Sequence, residues 1–267
     1  MSKLPRRMLG DTGIEVSCLG LGTVKFGRNQ EVKYPNGFKI PGDREVQSLL
    51  QQANELGINF LDTAPAYGCS EQRLGRLLQN RQQWIIGTKV GEEFISGKSQ
   101  YHFDQASVRR SLERSLRDLH TDYLDLVLIH SDGNDMSILD STDCVETLVD
   151  AKHKGLVRAM GLSGKTVEGG IRALELMDVA MVTFNRTTTG EEAVIEHALA
   201  NNKGILIKKA FDSGHIARGE DDSRLALEFA LGKAGVSSVI VGTINPRHLQ
   251  SNVENAIGAL KAEGISA

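Results

Sequence analysis

FLDTAPAYGCSEQRLG, residues 60–75, joins a short apolar run, a loop and the beginning of a helical pattern. The apolar run ends on Asp62, and Tyr67 follows five residues later in a loop flanked by Pro65 and Gly68. A buried strand does not need that aspartate, and a loop does not need that tyrosine. Both side chains are therefore candidates for a function, and their meaning depends on where the other strands end.

Eight short apolar runs are spread along the chain, and the run before Asp62 is the second. Near-continuous apolar runs of this length are typical of parallel strands that are buried on both faces. Amphipathic helical patterns separate them, such as the face formed by Val46, Leu49 and Leu50. The runs lie at 17–23, 58–62, 84–89, 125–130, 157–163, 179–185, 204–209 and 237–243.

Eight strands that are each followed by a helix predict an α/β fold of the (β/α)₈ TIM barrel class. An open doubly wound sheet is the alternative, because length and repeat count do not exclude it. Residues 7–16 read as a β-hairpin with its turn at 10–13, and we expect it to plug the amino-terminal end of the barrel. One domain is predicted over residues 1–267, since no linker or low-complexity tract divides the chain.

Composition narrows the class of partner. The chain has 267 residues, is 40% hydrophobic and carries a formal charge of −3, so no basic field favours nucleic acid or a membrane surface. Three widely spaced cysteines, of which Cys69 lies near the opening motif, indicate isolated thiols of a reducing compartment. No apolar stretch suits a membrane helix or a signal peptide. We expect a cytoplasmic protein with a small-molecule partner, and the sequence leaves its oligomeric state open.

Nearly every predicted strand ends on a polar side chain. In a parallel barrel all carboxyl ends emerge on one face, where barrel enzymes keep their active sites. Asp62, Lys89 and His130 end three successive strands, so we expect them to converge with Tyr67. Polar residues also end buried strands where the chain returns to water, but that explanation accounts poorly for this combination. The remaining ends are Thr23, Ser163, Asn185, Lys208 with Lys209, and Thr243.

This quartet suits proton transfer to a forming alkoxide. A tyrosine hydroxyl titrates near ~10, and a nearby ammonium such as that of Lys89 favours the phenolate and lowers that pKa. A carboxylate beside the lysine keeps it charged, and a histidine can hold a carbonyl oxygen as it gains negative charge. The set therefore favours carbonyl reduction or its reverse. No Ser or Cys is evidently paired with His130, and Asp132 and Asp135 suit a solvated loop better than a cation site, so no metal is predicted.

None of these side chains carries hydride, so the chemistry requires a cofactor. The chain has no GxGxxG after a strand, which disfavours a Rossmann site. The last strand continues through residues 240–252 into a helix whose first turn carries Arg247 and His248. Free N–H groups at a helix start, together with these side chains, suit a phosphate. Ordinary capping by Asn245 and Pro246 is the alternative.

Taken together, these pieces resemble the aldo-keto reductases, which are barrel oxidoreductases that use a nicotinamide dinucleotide. The resemblance covers nearly the whole chain, and its first four pieces are specific in combination. It implies that Tyr67 is the general acid, Lys89 its pKa partner, Asp62 the counter-ion of the lysine and His130 the donor that orients the substrate. The pieces are the hairpin, GLGT (20–23), FLDTAPAYG (60–68), GTK (87–89), LIH (128–130), GLS (161–163) and VGTINPRHLQSN (241–252).

The resemblance also implies a cofactor site, with NADP favoured and NAD as the alternative. This chain departs from many members at Gly242 and His248, where strongly NADP-preferring proteins often carry Lys or Arg. It also departs at Lys208, where some members stack a tyrosine on the nicotinamide ring. The chain ends at Ala267, so we expect no long carboxyl-terminal loop over the pocket. The implied cofactor residues are Gly22, Thr23, Asp62, Ser163, Lys208, Gly242, Thr243, Arg247, His248 and Asn252.

A loop of some twenty residues, 23–43, lacks clear secondary structure and contains Lys25, Arg28 and Lys33. Loops this long in compact domains are usually functional or disordered, so we expect a cover over the site, with a solvated insert as the alternative. The main functional hypothesis is an NAD(P)H-dependent aldehyde or ketone reductase. The alternatives are a barrel that binds the cofactor without catalysis, as a sensor or partner subunit, and an isomerase or lyase without redox chemistry.

Overall fold

The structure is a computed structural model that describes residues 4–32, 34–35, 37–214 and 220–262. Short strands alternate with helices along these residues. In chain order the strands are β1 (Arg6–Met8), β2 (Glu15–Ser17), β3 (Leu19–Gly22), β4 (Phe60–Asp62), β5 (Ile85–Val90), β6 (Glu92–Ile95), β7 (Lys98–Tyr101), β8 (Leu124–His130), β9 (Val157–Ser163), β10 (Val179–Thr183), β11 (Gly204–Lys208) and β12 (Ser238–Val241).

The helices follow the strands, as the amphipathic patterns predict. Short 3₁₀ helices cover Pro65–Tyr67, Arg81–Gln83 and Asp212–Gly214. The α-helices are α1 (Val24–Gly27), α2 (Asp43–Glu55), α3 (Ser70–Leu77), α4 (Gln105–Asp118), α5 (Asp135–Ser141), α6 (Cys144–His153), α7 (Val167–Leu176), α8 (Glu192–Ala200), α9 (Glu220–Gly232) and α10 (Pro246–Ala262).

Eight of the strands form a closed parallel barrel in the order β10-β11-β12-β3-β4-β5-β8-β9. This confirms the predicted (β/α)₈ class and excludes the open doubly wound sheet. Each predicted apolar run overlaps one barrel strand, and β5 and β8 extend one residue beyond their runs. The runs at 179–185 and 237–243 extend past the observed strand ends, Thr183 and Val241, because their last residues enter the loops of the mouth. The carboxyl ends of all eight strands therefore share one rim.

The amino-terminal hairpin closes the opposite end, as predicted. β1 and β2 pair antiparallel, with Arg6 opposite Ser17. Leu9 and Ile14 lie in the turn that joins them, are at most 1% exposed and pack in the same apolar cluster as Phe60 of β4. Gly10, with φ of 60°, lies so close to the start of β11 that a Cβ there would be 2.6 Å from the Gly204 nitrogen. A larger residue would push the hairpin off the barrel.

One element between β5 and α4 is absent from the sequence prediction. β6 and β7 pair antiparallel from Glu92 opposite Tyr101 to Ile95 opposite Lys98. The turn residues Ser96 and Gly97 both have positive φ, 52° and 80°, which is typical of a tight two-residue hairpin turn. This hairpin begins at Glu92, three residues after Lys89, and so lies beside the mouth.

Candidate active site

Asp62, Lys89 and His130 lie together at the carboxyl-terminal rim of the barrel. They occur at the ends of β4, β5 and β8, which are neighbours in the barrel. Lys89 pairs in register with Leu128 of β8, and Asp62 pairs with Gly87 of β5. The predicted convergence of these side chains is thus a consequence of strand order.

A short ion pair fixes the lysine. Lys89 Nζ lies 2.6 Å from Asp62 Oδ1 and donates a second hydrogen bond of 2.8 Å to the carbonyl oxygen of Thr63. The side chains of Lys89 and Asp62 are only 2% and 7% exposed. Because both charges are withdrawn from water, their mutual contact and the Thr63 carbonyl must replace the lost hydration. The ammonium therefore has one defined position in the mouth.

Tyr67 lies directly beside this ammonium. The 3₁₀ helix Pro65–Tyr67 bends the chain back over the mouth, and Lys89 Nζ is 4.8 Å from the centroid of the Tyr67 ring. The His130 ring meets the tyrosine edge-on, with centroids 6.4 Å apart. The phenol, the Lys89 ammonium and the His130 ring thus form one cluster.

The expected lowering of the Tyr67 pKa is not found. Burial raises the pKa of Tyr67 well above its ordinary value, and the negative charges of Asp62 and Glu92 raise it further, while Arg28 lowers it. A phenolate here would be desolvated and would face two carboxylates, which explains the direction. The phenol therefore keeps its proton at neutral pH, as a proton donor requires.

His130 has a carboxylate partner that the sequence analysis did not identify. Its Nδ1 lies 2.7 Å from Oε2 of Glu92, the first residue of β6, a distance within hydrogen-bond range although the two groups are not aligned as a hydrogen bond. Burial lowers the pKa of His130, the contact with Glu92 raises it, and Lys89 and Lys208 lower it. His130 is thus held between one negative and two positive groups.

The loop over residues 23–43 reaches the rim from the other side. It begins with the single turn of α1, and its Arg28 donates to the carbonyl oxygen of Ala66, next to Tyr67, at 3.1 Å. Tyr34 lies near Gly242, where an added Cβ would be 2.9 Å from its hydroxyl, and Lys25 Nζ is 4.0 Å from the centroid of its ring. These positions agree with a cover over the rim, and Lys33 lies outside the described residues.

Among the candidate cofactor residues near the ends of β3 and β4, Thr23 already has hydrogen-bond partners within the protein. Its hydroxyl donates to the carbonyl oxygen of Asp62 at 2.9 Å and accepts from Ser70 at 2.8 Å. A Cβ on Gly22 would lie 3.8 Å from Gly242 Cα, so the two glycines line adjoining strand ends. Thr23 therefore holds the rim in shape. The Tyr34 hydroxyl lies over Gly242, and the Ile240 side chain lies against Gly22, where an added Cβ would be 3.1 Å from Ile240 Cγ2.

Lys208 contacts Ser163, another of the residues implied to bind the cofactor. Its Nζ donates to the Ser163 hydroxyl at 3.0 Å and to the Gly164 carbonyl oxygen at 2.6 Å. Burial lowers the pKa of Lys208 to about 8, and the positive charges of Lys209 and Lys89 act in the same direction. The ends of β9 and β11 are thereby linked across β10.

The segment after β12 has the predicted strand–loop–helix form. α10 begins at Pro246, and Asn245 Oδ1 accepts from the Arg247 backbone N–H at 2.9 Å, which is the ordinary capping named above as the alternative to a phosphate site. Gly242, Arg247 and His248 are exposed, while Thr243 and Asn252 are each 7% exposed. The exposed side chains and the bare backbone of Gly242 are thus available to an anion.

Other sequence candidates have structural roles. Asp135 is buried and accepts from the backbone N–H groups of Lys165 and Thr166, each at 2.8 Å, so it anchors the loop after β9 and does not lie in a solvated loop. In the described part of the chain, no group of His, Cys, Asp or Glu is arranged to hold a metal. The three cysteines are free, and Cys69 is the exposed one. None of the described helices is long and apolar enough to span a membrane.

Sequence reasoning missed Glu92, and a signal for it exists. EEFISGKSQY, residues 92–101, is two short runs separated by Ser96 and Gly97, which is a hairpin pattern. That pattern places β6 directly after the lysine strand. It does not specify that the first glutamate turns toward His130.

Comparison with known proteins agrees with this geometry. The Aldo/keto reductase family profile matches residues 18–224. A solved Pseudomonas aeruginosa protein assigned to the aldo-keto reductases is 53% identical, with a TM-score of 0.89 over 97% of this chain and 98% of the other.

Curated relatives are more distant. The uncharacterized oxidoreductase YqkF of Bacillus subtilis is 25% identical, covering 94% of this chain and 90% of its own length. The L-galactose dehydrogenase of Arabidopsis thaliana is 26% identical, covering 99% of this chain and 92% of its own length. Since the family profile spans well over half of the sequence, this chain belongs to the aldo/keto reductase family.

Proposed function

We propose that the protein is an NAD(P)H-dependent oxidoreductase that reduces aldehyde or ketone carbonyls to alcohols, with Tyr67 as general acid. The proposal rests above all on one observation: Lys89, pinned by Asp62 and the Thr63 carbonyl, lies 4.8 Å from the centroid of the Tyr67 ring. Family membership supports oxidoreductase chemistry. One barrel domain over residues 1–267 and a cytoplasmic location are part of the proposal, the latter supported by three free thiols.

The rim residues fit a nicotinamide dinucleotide. Gly22 and Gly242 present backbone without side chains at adjoining strand ends, and Ser163 and Lys208 carry donors at other strand ends of the same rim. Arg247, His248 and the start of α10 suit the adenosine phosphate, with Thr243 and Asn252 nearby in the chain. When bound, the dinucleotide supplies the hydride.

The protein side chains then manage the proton. Tyr67 holds its proton until a carbonyl oxygen gains negative charge, and donates it at that moment. Lys89 stabilises the phenolate that remains, because its ammonium cannot move away from Asp62. His130 contacts the substrate oxygen from the second side of the mouth. The raised pKa of the resting phenol is therefore compatible with the reaction.

Arg247 favours NADP over NAD in this proposal, because it is exposed at the start of α10 and carries a permanent positive charge. The relatives include proteins named as sugar dehydrogenases, such as the D-threo-aldose 1-dehydrogenase of a Pseudomonas species, 27% identical over 91% of this chain and 90% of its own length. Small sugar-derived carbonyls belong in the substrate panel for that reason.

The test is a cofactor-depletion assay in which purified protein is mixed with NADPH or NADH, in parallel, across a panel of aldehydes, ketones and sugars. Oxidation of NADPH with at least one carbonyl, faster than oxidation of NADH, is the expected result. Tight cofactor binding by fluorescence titration without turnover on any carbonyl would favour the alternative of a barrel that binds the cofactor as a sensor. Absence of dinucleotide binding would overturn both.

A further inference from the structure

Glu92 occupies a position beside the active-site histidine that none of the proposed catalytic steps uses. Its Oε2 is 2.7 Å from His130 Nδ1, and the two side chains are 8% and 21% exposed. Glu92 follows Lys89 by three residues, with Gly91 (φ 100°) turning the chain between β5 and β6. The carboxylate that contacts the His130 ring thus comes from the β6–β7 hairpin and not from a barrel strand.

Glu92 is ionised in this position. The Ser99 hydroxyl donates to its Oε1 at 2.5 Å, and an Arg28 guanidinium nitrogen lies 3.7 Å from the same oxygen. Burial opposes ionisation, but His130, Ser99 and Arg28 outweigh it and lower the pKa of Glu92 to about 2. Both oxygens therefore act as acceptors.

An ionised Glu92 determines which ring nitrogen of His130 carries hydrogen. If Nδ1 were unprotonated, two electron-rich atoms, Nδ1 and a carboxylate oxygen, would lie 2.7 Å apart, which is repulsive. Nδ1 therefore carries the hydrogen, and Nε2 is the ring nitrogen left for a substrate.

The charges around His130 act on its protonation in opposite directions. Glu92 from β6 favours the imidazolium, while Lys89 from β5 and Lys208 from β11 disfavour it, as does burial. Tyr67 from the 3₁₀ helix faces the ring as a neutral phenol. Glu92 is accordingly the group that opposes the loss of the second ring proton.

We propose that Glu92 is a positioning residue that holds the hydrogen of neutral His130 on Nδ1, so that Nε2 accepts from a hydroxyl substrate and donates to a carbonyl only as the imidazolium. This inference rests on the proposed function and deepens it. A neutral ring favours binding of the alcohol, and a protonated ring favours binding of the carbonyl. The protonation of one side chain thereby biases the site between the two directions of the reaction.

The first test measures the tautomer directly and needs no turnover. Nitrogen-15 NMR of histidine-labelled protein, with His130 signals identified by their loss in His130→Asn, reports which nitrogen is protonated. Above the pKa of His130 we expect a protonated Nδ1 and an unprotonated Nε2. A neutral ring with its hydrogen on Nε2 overturns the inference, whether or not the protein is active.

The second test is a pH profile of substrate affinity with p-nitrobenzaldehyde and its alcohol. In the wild type, KM for the aldehyde rises and KM for the alcohol falls as pH increases through the pKa of His130. Glu92→Gln moves that step to lower pH by about 1–3 pH units, the effect of losing a close opposite charge. The control Glu93→Gln removes the next carboxylate of β6, which contacts Arg114 at 2.7 Å instead, and leaves the step in place.

The outcomes separate this inference from the proposed function. An unmoved step in Glu92→Gln overturns the role of Glu92 while leaving carbonyl reduction intact. No turnover on any carbonyl refutes the proposed function, and the NMR measurement on the wild type still decides the tautomer. Partial return of the wild-type step in Glu92→Asp, which keeps the charge, is expected if the carboxylate acts electrostatically.

Discussion

Replacement of Lys89 by Met tests the arrangement at the centre of the mouth. Lys89 and Asp62 are 2% and 7% exposed in their side chains, and their contact is 2.6 Å. The substitution keeps a flexible apolar stem of similar length but removes the ammonium. Asp62 is then left as a buried carboxylate without its cation, and the Thr63 carbonyl loses a donor at 2.8 Å.

The loss of stability in Lys89→Met comes from the unpaired carboxylate of Asp62. Removing one partner of a buried ion pair destabilises a protein by about 3–5 kcal/mol, because an uncompensated charge remains out of water. Asp62→Asn combined with Lys89→Met removes both charges and leaves only weaker polar groups unsatisfied, at about 1–2 kcal/mol. The double variant is therefore expected to be more stable than Lys89→Met by about 1–4 kcal/mol.

Guanidinium unfolding followed by the fluorescence of Trp84, the single and buried tryptophan, measures the shift of the midpoint. Carbonyl reduction is measured on the same samples. The double variant is expected to be the more stable of the two and still inactive, which separates the structural role of the pair from its chemical role. A Lys89→Met variant within about 1 kcal/mol of wild type, or a double variant less stable than the single one, would refute the reasoning.

Two further predictions concern other parts of the chain. Burial raises the pKa of Glu71 from 4.5 to about 7; the folded state then holds a proton that the unfolded state has released, so stability falls as pH rises from about 4.5 past 7. That change corresponds to about 3 kcal/mol of unfolding free energy. Glu71→Gln should therefore flatten the dependence of the unfolding free energy on pH. An unchanged slope in this variant would contradict the raised pKa of Glu71. Arg247→Ala should weaken NADPH binding about 10- to 150-fold and NADH binding much less, because charged hydrogen bonds to phosphate contribute about 1.5–3 kcal/mol. Equal losses in fluorescence titrations would place the phosphate elsewhere.

The barrel and the positions of its rim residues could be predicted from sequence, because they depend on local patterns. Apolar runs identify the strands, and the rule that parallel strands share one carboxyl edge brings Asp62, Lys89 and His130 together. The hairpin of residues 7–16 is likewise encoded in its turn and its apolar residues. These inferences need no side-chain conformations.

The electrostatics of the site could not be predicted in the same way. The direction of the shift in the Tyr67 pKa depends on how fully the ring is buried and on two carboxylates, Asp62 and Glu92. Glu92 lies in a hairpin that the pattern of apolar runs did not predict. The contact of Lys208 with Ser163 joins strands that are not neighbours. Such features depend on which way long side chains turn at the rim, and sequence spacing does not determine that.

The most direct test of the account is the rate of carbonyl reduction by Tyr67→Phe, which deletes a single oxygen. Tyr123→Phe, just before β8 at the other end of the barrel, is the matched control, and fluorescence titration verifies that each variant still binds NADPH. We predict a loss of about 10²–10⁴-fold in kcat for Tyr67→Phe with cofactor affinity retained, and no loss for Tyr123→Phe. Turnover by Tyr67→Phe within about threefold of the wild type would contradict the assignment of Tyr67 as the proton donor.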